Sequence, residues 1–364
     1  MLLESLLALA LALSPATGAQ TPGVHGHLLW DEVDTAEIGR QLDAAAGAGA
    51  GIVRVDVGWS TLEAAGKGHY DRGYLAKMDT VVTEAQRRGL RLLFTFWTTP
   101  CWASSAPAEV KQGCEGSWWE RSVDRYAPSD ARDYAEALAF LVRRYGDRVA
   151  AWELWNEPNH VDFLKSADQV AAYATMVKAA YPAAKRAGAR TVIAGSLADA
   201  DFEFTERLYR QGLRGNFDAY SVHPYSGDRS PRDRNEDRYI SSSFIRGVPA
   251  VRDVMLRNRD VKPLWLTEFG WSTCTKRDAP SYDNCVDEAT QSRYLKQAFA
   301  VMRSWSYVPV GIWFGLEDTG TDSTDRVSNY GLIGTDDGEK RAYAGFVGVA
   351  AALAASGLLS GLVT

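Results

Sequence analysis

Two glutamates stand at the ends of two apolar runs that lie far apart in the chain. Glu157 ends residues 151–157 (AWELWNE), and Glu268 ends residues 263–268 (PLWLTE) about 110 residues later. An unpaired charge at the end of a buried strand costs free energy, so a Glu at such a position indicates a functional role. Two strands that end alike would deliver both carboxyls to one rim of a sheet, and paired carboxyls are the groups that hydrolyse glycosides.

The elements that must position these glutamates alternate along the chain. Apolar runs predict strands at residues 25–30, 52–59, 91–98, 149–157, 191–197, 217–225, 263–269 and 310–316. Helical stretches lie between them at residues 35–48, 72–88, 130–145, 167–187, 202–211, 241–257 and 288–304, and a last helix follows residue 340. Nearly continuous apolar strands that alternate with helices indicate a parallel sheet covered on its outer face.

Eight such units predict an α/β fold, a single (β/α)8 TIM barrel over residues 24–356 with a tail at 357–364. An open doubly wound sheet is the alternative, but it usually has fewer strands. The Gly-rich residues 47–51 precede a strand instead of following one, so they are not a dinucleotide-binding loop. In a barrel the chemistry lies at the carboxyl ends of the strands. Glu157 and Glu268 end the fourth and seventh strands and would face each other.

Composition and charge limit the class of protein. The 364 residues are 46% hydrophobic, which is enough for one large barrel core, and no Pro- or Ser-rich linker marks a second domain. The net charge of −6 argues against a nucleic-acid partner, which calls for a basic surface. Residues 342–364 carry no charge and approach the length of a membrane span, but they are rich in Ala and Gly. We expect a helix and tail there, no stable membrane insertion, and a monomer.

The N-terminus and the cysteines indicate export. Residues 1–20 contain an apolar run followed by small residues, which predicts a secretory signal, although the n-region carries Glu4 and no Lys or Arg. Cys101 and Cys114 lie 13 residues apart, and Cys274 and Cys285 lie 11 apart, each pair inside one predicted loop. Close pairs of this kind predict two disulfides and a secreted or envelope-exposed protein. The pairs lack metal-binding spacing, so we expect neither a metal nor another cofactor.

Two segments around the glutamates resemble a known group of enzymes. Residues 155–159 (WNEPN) and 267–271 (TEFGW) are similar to the signature strands of clan A, the retaining (β/α)8 glycoside hydrolases. The chain looks closest to glycoside hydrolase family 39 and related bacterial polysaccharide hydrolases, over about residues 24–350. The resemblance implies that Glu268 is the nucleophile and Glu157 the acid/base, and that Asn156 binds the sugar 2-hydroxyl.

The resemblance assigns four further positions by strand, each with a structural alternative. Arg54, alone among apolar residues, matches an Arg that keeps the nucleophile ionised, but it could also pair with Asp56. His223 and Tyr225 match a His and a Tyr that bind sugar and orient the nucleophile, but His223 could be a core histidine. Trp313 matches a Trp that forms the floor of the site, but it could belong to the barrel core.

One position departs from the pattern of the clan. Some members carry a His at the end of the third strand, where this chain has Trp97, and Trp97 therefore indicates a different contact with the sugar at the cleavage site. Trp102, Trp118 and Trp119 lie in the loop that follows. They are candidate stacking surfaces for sugars, or else they only pack that loop.

Together these patterns predict a retaining O-glycosyl hydrolase that cleaves an oligo- or polysaccharide by double displacement. Two alternatives stay open. A transglycosylase would remodel a polysaccharide with the same residues, and a catalytically silent barrel would only bind carbohydrate.

Overall fold

The structure of the protein is a computed structural model that describes residues 20–234, 240–279 and 282–361. Eight parallel strands close into one barrel in the order of the sequence. They are β1 Thr21–His25, β2 Ile52–Gly58, β3 Arg91–Trp97, β4 Ala151–Leu154, β5 Thr191–Ala198, β6 Ala219–His223, β7 Leu264–Phe269 and β8 Val310–Trp313. The predicted single (β/α)8 barrel is confirmed. Residues 1–19, which hold almost all of the predicted signal, lie outside the described residues.

Helices surround the barrel and connect its strands. They are α1 Thr35–Gly47, α2 Trp59–Leu62, α3 Arg72–Arg87, α4 Ala108–Lys111, α5 Ala131–Tyr145, α6 Gln169–Ala187, α7 Phe202–Arg210, α8 Phe244–Arg257, α9 Glu288–Met302 and α10 Arg341–Gly361. The ordered barrel thus begins before the predicted limit at residue 24, and its last helix ends after the predicted limit at 356. Within the described ranges, no helix combines the length and the hydropathy that a bilayer crossing requires.

The first strand differs from its prediction. It covers Thr21–His25, whereas the sequence pattern predicts residues 25–30. Pro22 and Gly23 are typical of turns, which hides the strand in the sequence. In the barrel the glycine is required by close packing, because a Cβ at Gly23 would lie 2.6 Å from Cγ2 of Ile52 on the neighbouring strand.

Aspartates fix where the main helices begin. In six helices the carboxylate of the residue before the first turn accepts a hydrogen bond from a backbone N–H of that turn. These residues are Asp34, Asp71, Asp130, Asp168, Asp201 and Asp287. Each such cap contributes about 1 kcal/mol to helix stability. Defined helix starts also limit the length of the βα loops, which form the mouth of the barrel.

The barrel interior is apolar at the bottom and polar above. Its bottom layer is a separate buried cluster of Ile52, Leu93, Ala151, Ile193, Ala219, Val310 and Ile312. Residues two positions further along a strand share the same face. On β2, β3, β4 and β6 these residues are Arg54, Thr95, Glu153 and Ser221, all of them buried. The interior therefore changes from hydrocarbon to hydrogen-bonding groups toward the carboxyl ends of the strands.

Candidate active site

The two glutamates meet at the mouth of the barrel. Glu157 lies three residues past the end of β4, and Glu268 lies within β7. A carboxylate oxygen of Glu157, one of Glu268 and a ring nitrogen of His223 all lie within 4.8 Å of one another. Both side chains are largely buried, with 13% of Glu157 and 8% of Glu268 exposed. Two carboxyls separated by 111 residues in the sequence thus share one small site.

The backbone that presents Glu157 has an uncommon conformation. Trp155 has a φ of 72° and Glu157 a φ of 43°, in the left-handed region that side chains disfavour. Hydrogen bonds to neighbouring strands offset this strain. The Trp155 amide donates to Phe96 O at 2.9 Å, and the Glu157 amide donates to Ser196 O at 2.8 Å. The turn directs Glu157 across the mouth toward Glu268.

Arg54 connects the polar layer to the carboxyl pair. Its Nη1 donates to Glu268 at 2.5 Å, its Nη2 to Asn156 Oδ1 at 2.8 Å, and its Nε to Glu153 at 2.8 Å. Arg54 also lies 3.6 Å from Asp56, so both pairings considered from the sequence are present. Its side chain is entirely buried, so its contacts in this structure are with protein groups, and the predicted contact with substrate stays a prediction. Arg54 orients the groups that it holds.

Glu153 is the site residue that the sequence analysis missed. It is fully buried, and it accepts hydrogen bonds from the hydroxyls of Thr95 at 2.8 Å and Ser221 at 2.7 Å, besides the Arg54 bond. Burial is the largest single influence and opposes its charge, but Arg54, His223 and the Ser221 hydrogen bond together hold the pKa of Glu153 below its usual range. The sequence contained a signal for Glu153, because an ionised carboxylate inside an apolar strand needs a buried cation as its partner.

Glu157 and His223 form a pair in which burial disfavours the charged form of both groups. His223 Nδ1 lies 2.9 Å from Glu157 Oε1, and its Nε2 lies 3.2 Å from Ser196 Oγ. Burial raises the pKa of Glu157 to about 7 and lowers the pKa of His223 to about 4. His223 is wholly buried in this structure, and its predicted contact with sugar stays a prediction. It holds the carboxyl of Glu157 in place.

Tyr225 and Asn156 complete the contacts of the pair. The Tyr225 hydroxyl donates to Glu268 Oε2 at 2.8 Å, so Glu268 accepts from Arg54 on one oxygen and from Tyr225 on the other. Tyr225 is only half-buried and can also face a ligand. Asn156 uses its Oδ1 to accept from Arg54, and among the described residues its Nδ2 has no partner. That amide remains able to donate to a sugar hydroxyl.

The aromatic floor of the site is one residue away from its prediction. Trp313 is fully buried, with its ring against Phe269 and Trp271 and its Nε1 donating to Tyr330 O at 3.1 Å. It belongs to the core between strands and helices, which is the structural alternative considered from the sequence. Phe314, the next residue, is half-buried, and its ring centroid lies 6.2 Å from that of Tyr225. Neighbouring residues on a strand point to opposite faces, which explains the exchange.

A groove of about 800 Å³ lies across the ends of β2 and β3, and its lining includes Asp56, which lies 3.6 Å from Arg54. Trp97 lines it as a half-buried side chain, with the Arg125 guanidinium 4.4 Å from its ring centroid. Trp118 and Trp119 also line the groove, so both are available for stacking. Trp102 instead packs against Trp59 and donates to Glu63 O at 2.7 Å, which makes it part of the loop's own packing.

Both predicted disulfides are present. Cys101 is bonded to Cys114 in the loop after β3, and Cys274 to Cys285 in the loop after β7. The first loop carries Trp118 and Trp119 of the groove. The bridge in the second loop begins at Cys274, six residues after Glu268. Both bridges therefore shape the mouth and not the barrel wall.

Removing the first bridge should impair binding more than folding. Closing so short a loop contributes roughly 3 kcal/mol in the chain-entropy model. We expect Cys101→Ala/Cys114→Ala to raise KM severalfold for a polymeric substrate while the protein stays folded at the assay temperature. Kinetics alongside thermal melting would check this, with the wild type as reference. Loss of the folded state with KM unchanged would contradict it.

A closed parallel barrel with a carboxyl pair at the ends of β4 and β7 is the architecture of the clan A glycoside hydrolases. The family model described as cellulase (glycosyl hydrolase family 5) matches residues 14–309. The chain belongs to this family, which lies within the clan that the sequence patterns indicated. No curated protein matches the chain significantly.

Solved structures agree in fold. A family 39 glycoside hydrolase from Bacteroides cellulosilyticus WH2 superposes with a TM-score of 0.71 at 23% identity, covering 93% of this chain and 65% of that one. An exo-β-1,4-mannosidase from Opitutaceae bacterium strain TAV5 gives 0.63 at 18% identity, covering 93% and 60%. A family 5 enzyme from Streptomyces cattleya gives 0.67 at 16% identity, covering 93% and 81%. The chain thus spans less than two thirds of the length of the first two.

Proposed function

We propose that the protein is a retaining glycoside hydrolase that cleaves O-glycosidic bonds of a polysaccharide. The observation that supports this is the closeness of Glu157 and Glu268, whose carboxylate oxygens come within 4.8 Å of each other. Retaining enzymes need carboxyls about 5 Å apart, because one of them attacks the sugar directly. Inverting enzymes need roughly 6.5–9.5 Å to leave room for a water molecule.

In the first step Glu268 attacks the anomeric carbon and forms a glycosyl-enzyme ester as the bond to the leaving oxygen breaks. Arg54 and Tyr225 hold its two oxygens, so the attacking carboxylate is oriented before substrate arrives. Glu157 gives its proton to the leaving oxygen. Its raised pKa of about 7 keeps it protonated at mildly acidic to neutral pH.

In the second step Glu157, now ionised, takes a proton from water, and that water attacks the anomeric carbon. The ester to Glu268 breaks and the sugar leaves with its original anomeric configuration. His223 keeps Glu157 in position for both proton transfers. The free Nδ2 of Asn156 donates to the sugar 2-hydroxyl, a contact that strengthens in the transition state.

The groove favours an extended, uncharged or cationic glycan. Its length and its tryptophans suit several sugar units. Its lining holds four carboxylates and one cation, namely Asp31, Glu32, Asp56, Asp124 and Arg125. The cation lies 3.3 Å from Asp124, which leaves the lining acidic. Such a surface repels anionic polysaccharides. Because two disulfides require an oxidising compartment, we also place the protein outside the cytoplasm.

A screen of the purified protein against aryl glycosides and neutral, cationic and anionic polysaccharides would test the function. We expect release of reducing ends from a neutral or cationic polymer, and proton NMR should show the first-formed product with the anomeric configuration of the substrate. An inverted first product would refute the retaining mechanism. Binding to a glycan without any release of sugar would instead identify a carbohydrate-binding barrel.

A further inference from the structure

Three side chains beside the catalytic pair have no part in the proposed mechanism. His25 is the last residue of β1, His27 lies two residues later, and Asp56 lies on β2. One possible ligand atom from each lies within 4.8 Å of the others, and His25 Nε2 is 3.3 Å from Asp56 Oδ2. His25 is almost completely buried, with 1% of its surface exposed. Two imidazoles and one carboxylate therefore converge beside the ends of β1 and β2, with His25 buried and with His27 and Asp56 half-buried.

The polar atoms of this group are left unsatisfied by the protein. Both ring nitrogens of His25, Nδ1 of His27 and Oδ1 of Asp56 are closed to solvent and have no hydrogen-bond partner among the described residues. Each buried polar atom without a partner costs about 1–3 kcal/mol. A small ion held between the three side chains would satisfy these atoms.

The charges nearby favour a cation at this place. Arg54 is the buried cation of the site, and it lies 2.8 Å from Glu153, 2.5 Å from Glu268 and 3.6 Å from Asp56. One positive charge thus faces three carboxylates, an excess of two negative charges in a region of low dielectric constant. Uncompensated buried charge is strongly unfavourable. A divalent ion on Asp56 would balance the excess.

We propose that His25, His27 and Asp56 bind one divalent transition-metal ion, of which Zn²⁺ is the first candidate. Two imidazole nitrogens and one carboxylate suit zinc, whereas Mg²⁺ and Ca²⁺ prefer all-oxygen sites. The ion would join β1 to β2 and fix Asp56 against Arg54, so its role is to position the groups behind the nucleophile. The sequence signal for this site is the His-x-His at the end of β1, which lies far from the cysteines in the chain.

Calorimetric titration of ZnCl2 into chelator-treated full-length protein would test the site without any substrate, so the result does not depend on the proposed hydrolysis. We expect one equivalent to bind with a dissociation constant in the micromolar range or below. His27→Gln should weaken binding at least tenfold, since the loss of even an outer-shell partner costs about 10–100-fold. His160→Gln is the matched control, because His160 is an exposed histidine 3.7 Å from Asp162.

A second variant separates this site from the catalytic pair, where Glu157, His223 and Glu268 also converge. Glu157→Gln should bind zinc like the wild type. Loss of binding in Glu157→Gln with retention in His27→Gln would place the ion between the catalytic groups and overturn the proposal. Absence of stoichiometric zinc binding by the wild type would also overturn the proposal. If His27→Gln does not fold, Co²⁺ titration of the wild type and of Glu157→Gln decides. A tetrahedral site with two imidazoles gives d–d bands far more intense than those of hexaaqua Co²⁺, and these bands should be the same in both proteins.

Discussion

Glu268→Ala should lower kcat by about 10⁵- to 10⁶-fold, the order observed when a catalytic nucleophile is removed from a hydrolase. The variant leaves the anomeric carbon without an attacking group, while Glu157 remains able to protonate the leaving oxygen. Azide fits the space left by the carboxylate and should restore part of the activity on an activated aryl glycoside. The product expected is a glycosyl azide of inverted anomeric configuration, identified by NMR.

The matched control for this variant is Glu136→Ala, which removes an exposed glutamate paired with Lys67 and should leave kcat unchanged. A glycosyl azide with the retained configuration would assign Glu268 to the acid/base role. Activity within a few fold of the wild type would show that the nucleophile lies elsewhere.

Replacing Glu157 should give a loss that depends on the leaving group. Glu157→Ala should slow the cleavage of a natural glycan by about 10²- to 10⁴-fold, the usual contribution of a general acid. An aryl glycoside with an acidic phenol needs little protonation, and its glycosyl-enzyme should still form at nearly the normal rate. Rate measurements on both substrates with the wild type and the variant give the ratio of the two rate losses directly. Equal rate losses on both substrates would exclude the acid role.

The same residue should set the basic limb of the pH profile. Burial raises the pKa of Glu157 to about 7, so its proton is present below that pH and is lost as the pH rises through it. For the wild type, kcat/KM on a natural glycan should therefore fall above a pH of about 7. In Glu157→Ala that limb should disappear from the residual activity. A limb that persists unchanged would assign it to another group, such as Asp199, whose pKa burial also raises to about 7.

Much of the fold could be predicted because the barrel repeats one signal eight times. Seven of the eight strands fall where apolar runs place them, since a strand buried on both faces is mostly apolar. The first strand was not predicted because Pro22 and Gly23 are typical of turns. Gly23 is nevertheless required there by its close packing against Ile52, and such a requirement leaves no apolar pattern in the sequence. Its position is set by pairing with β2 and β8, which are distant in the sequence.

The residue types of the candidate site could be predicted from the sequence, but the face of the strand on which each side chain lies could not. Glu157, Glu268, Tyr225 and Asn156 converge as expected, because a charged or amide group at a strand end has few other uses. Which side of a strand faces the cleft depends on register, and an apolar run carries no alternation to reveal it. Trp313 and Phe314 were therefore exchanged. The apolar surroundings of Arg54 indicated a buried carboxylate partner, but they could not identify Glu153, which comes from another strand.

The hydrocarbon layer at the bottom of the barrel also has a kinetic consequence. It closes the lower end of the barrel. In the proposed mechanism, the water that hydrolyses the glycosyl-enzyme must therefore enter through the same opening as the glycan. Water and a second sugar therefore compete for one entrance, and the yield of transfer product should grow with the concentration of sugar outside. Whether the protein shortens a polymer or rebuilds it would then depend on how crowded its surroundings are with sugar chains.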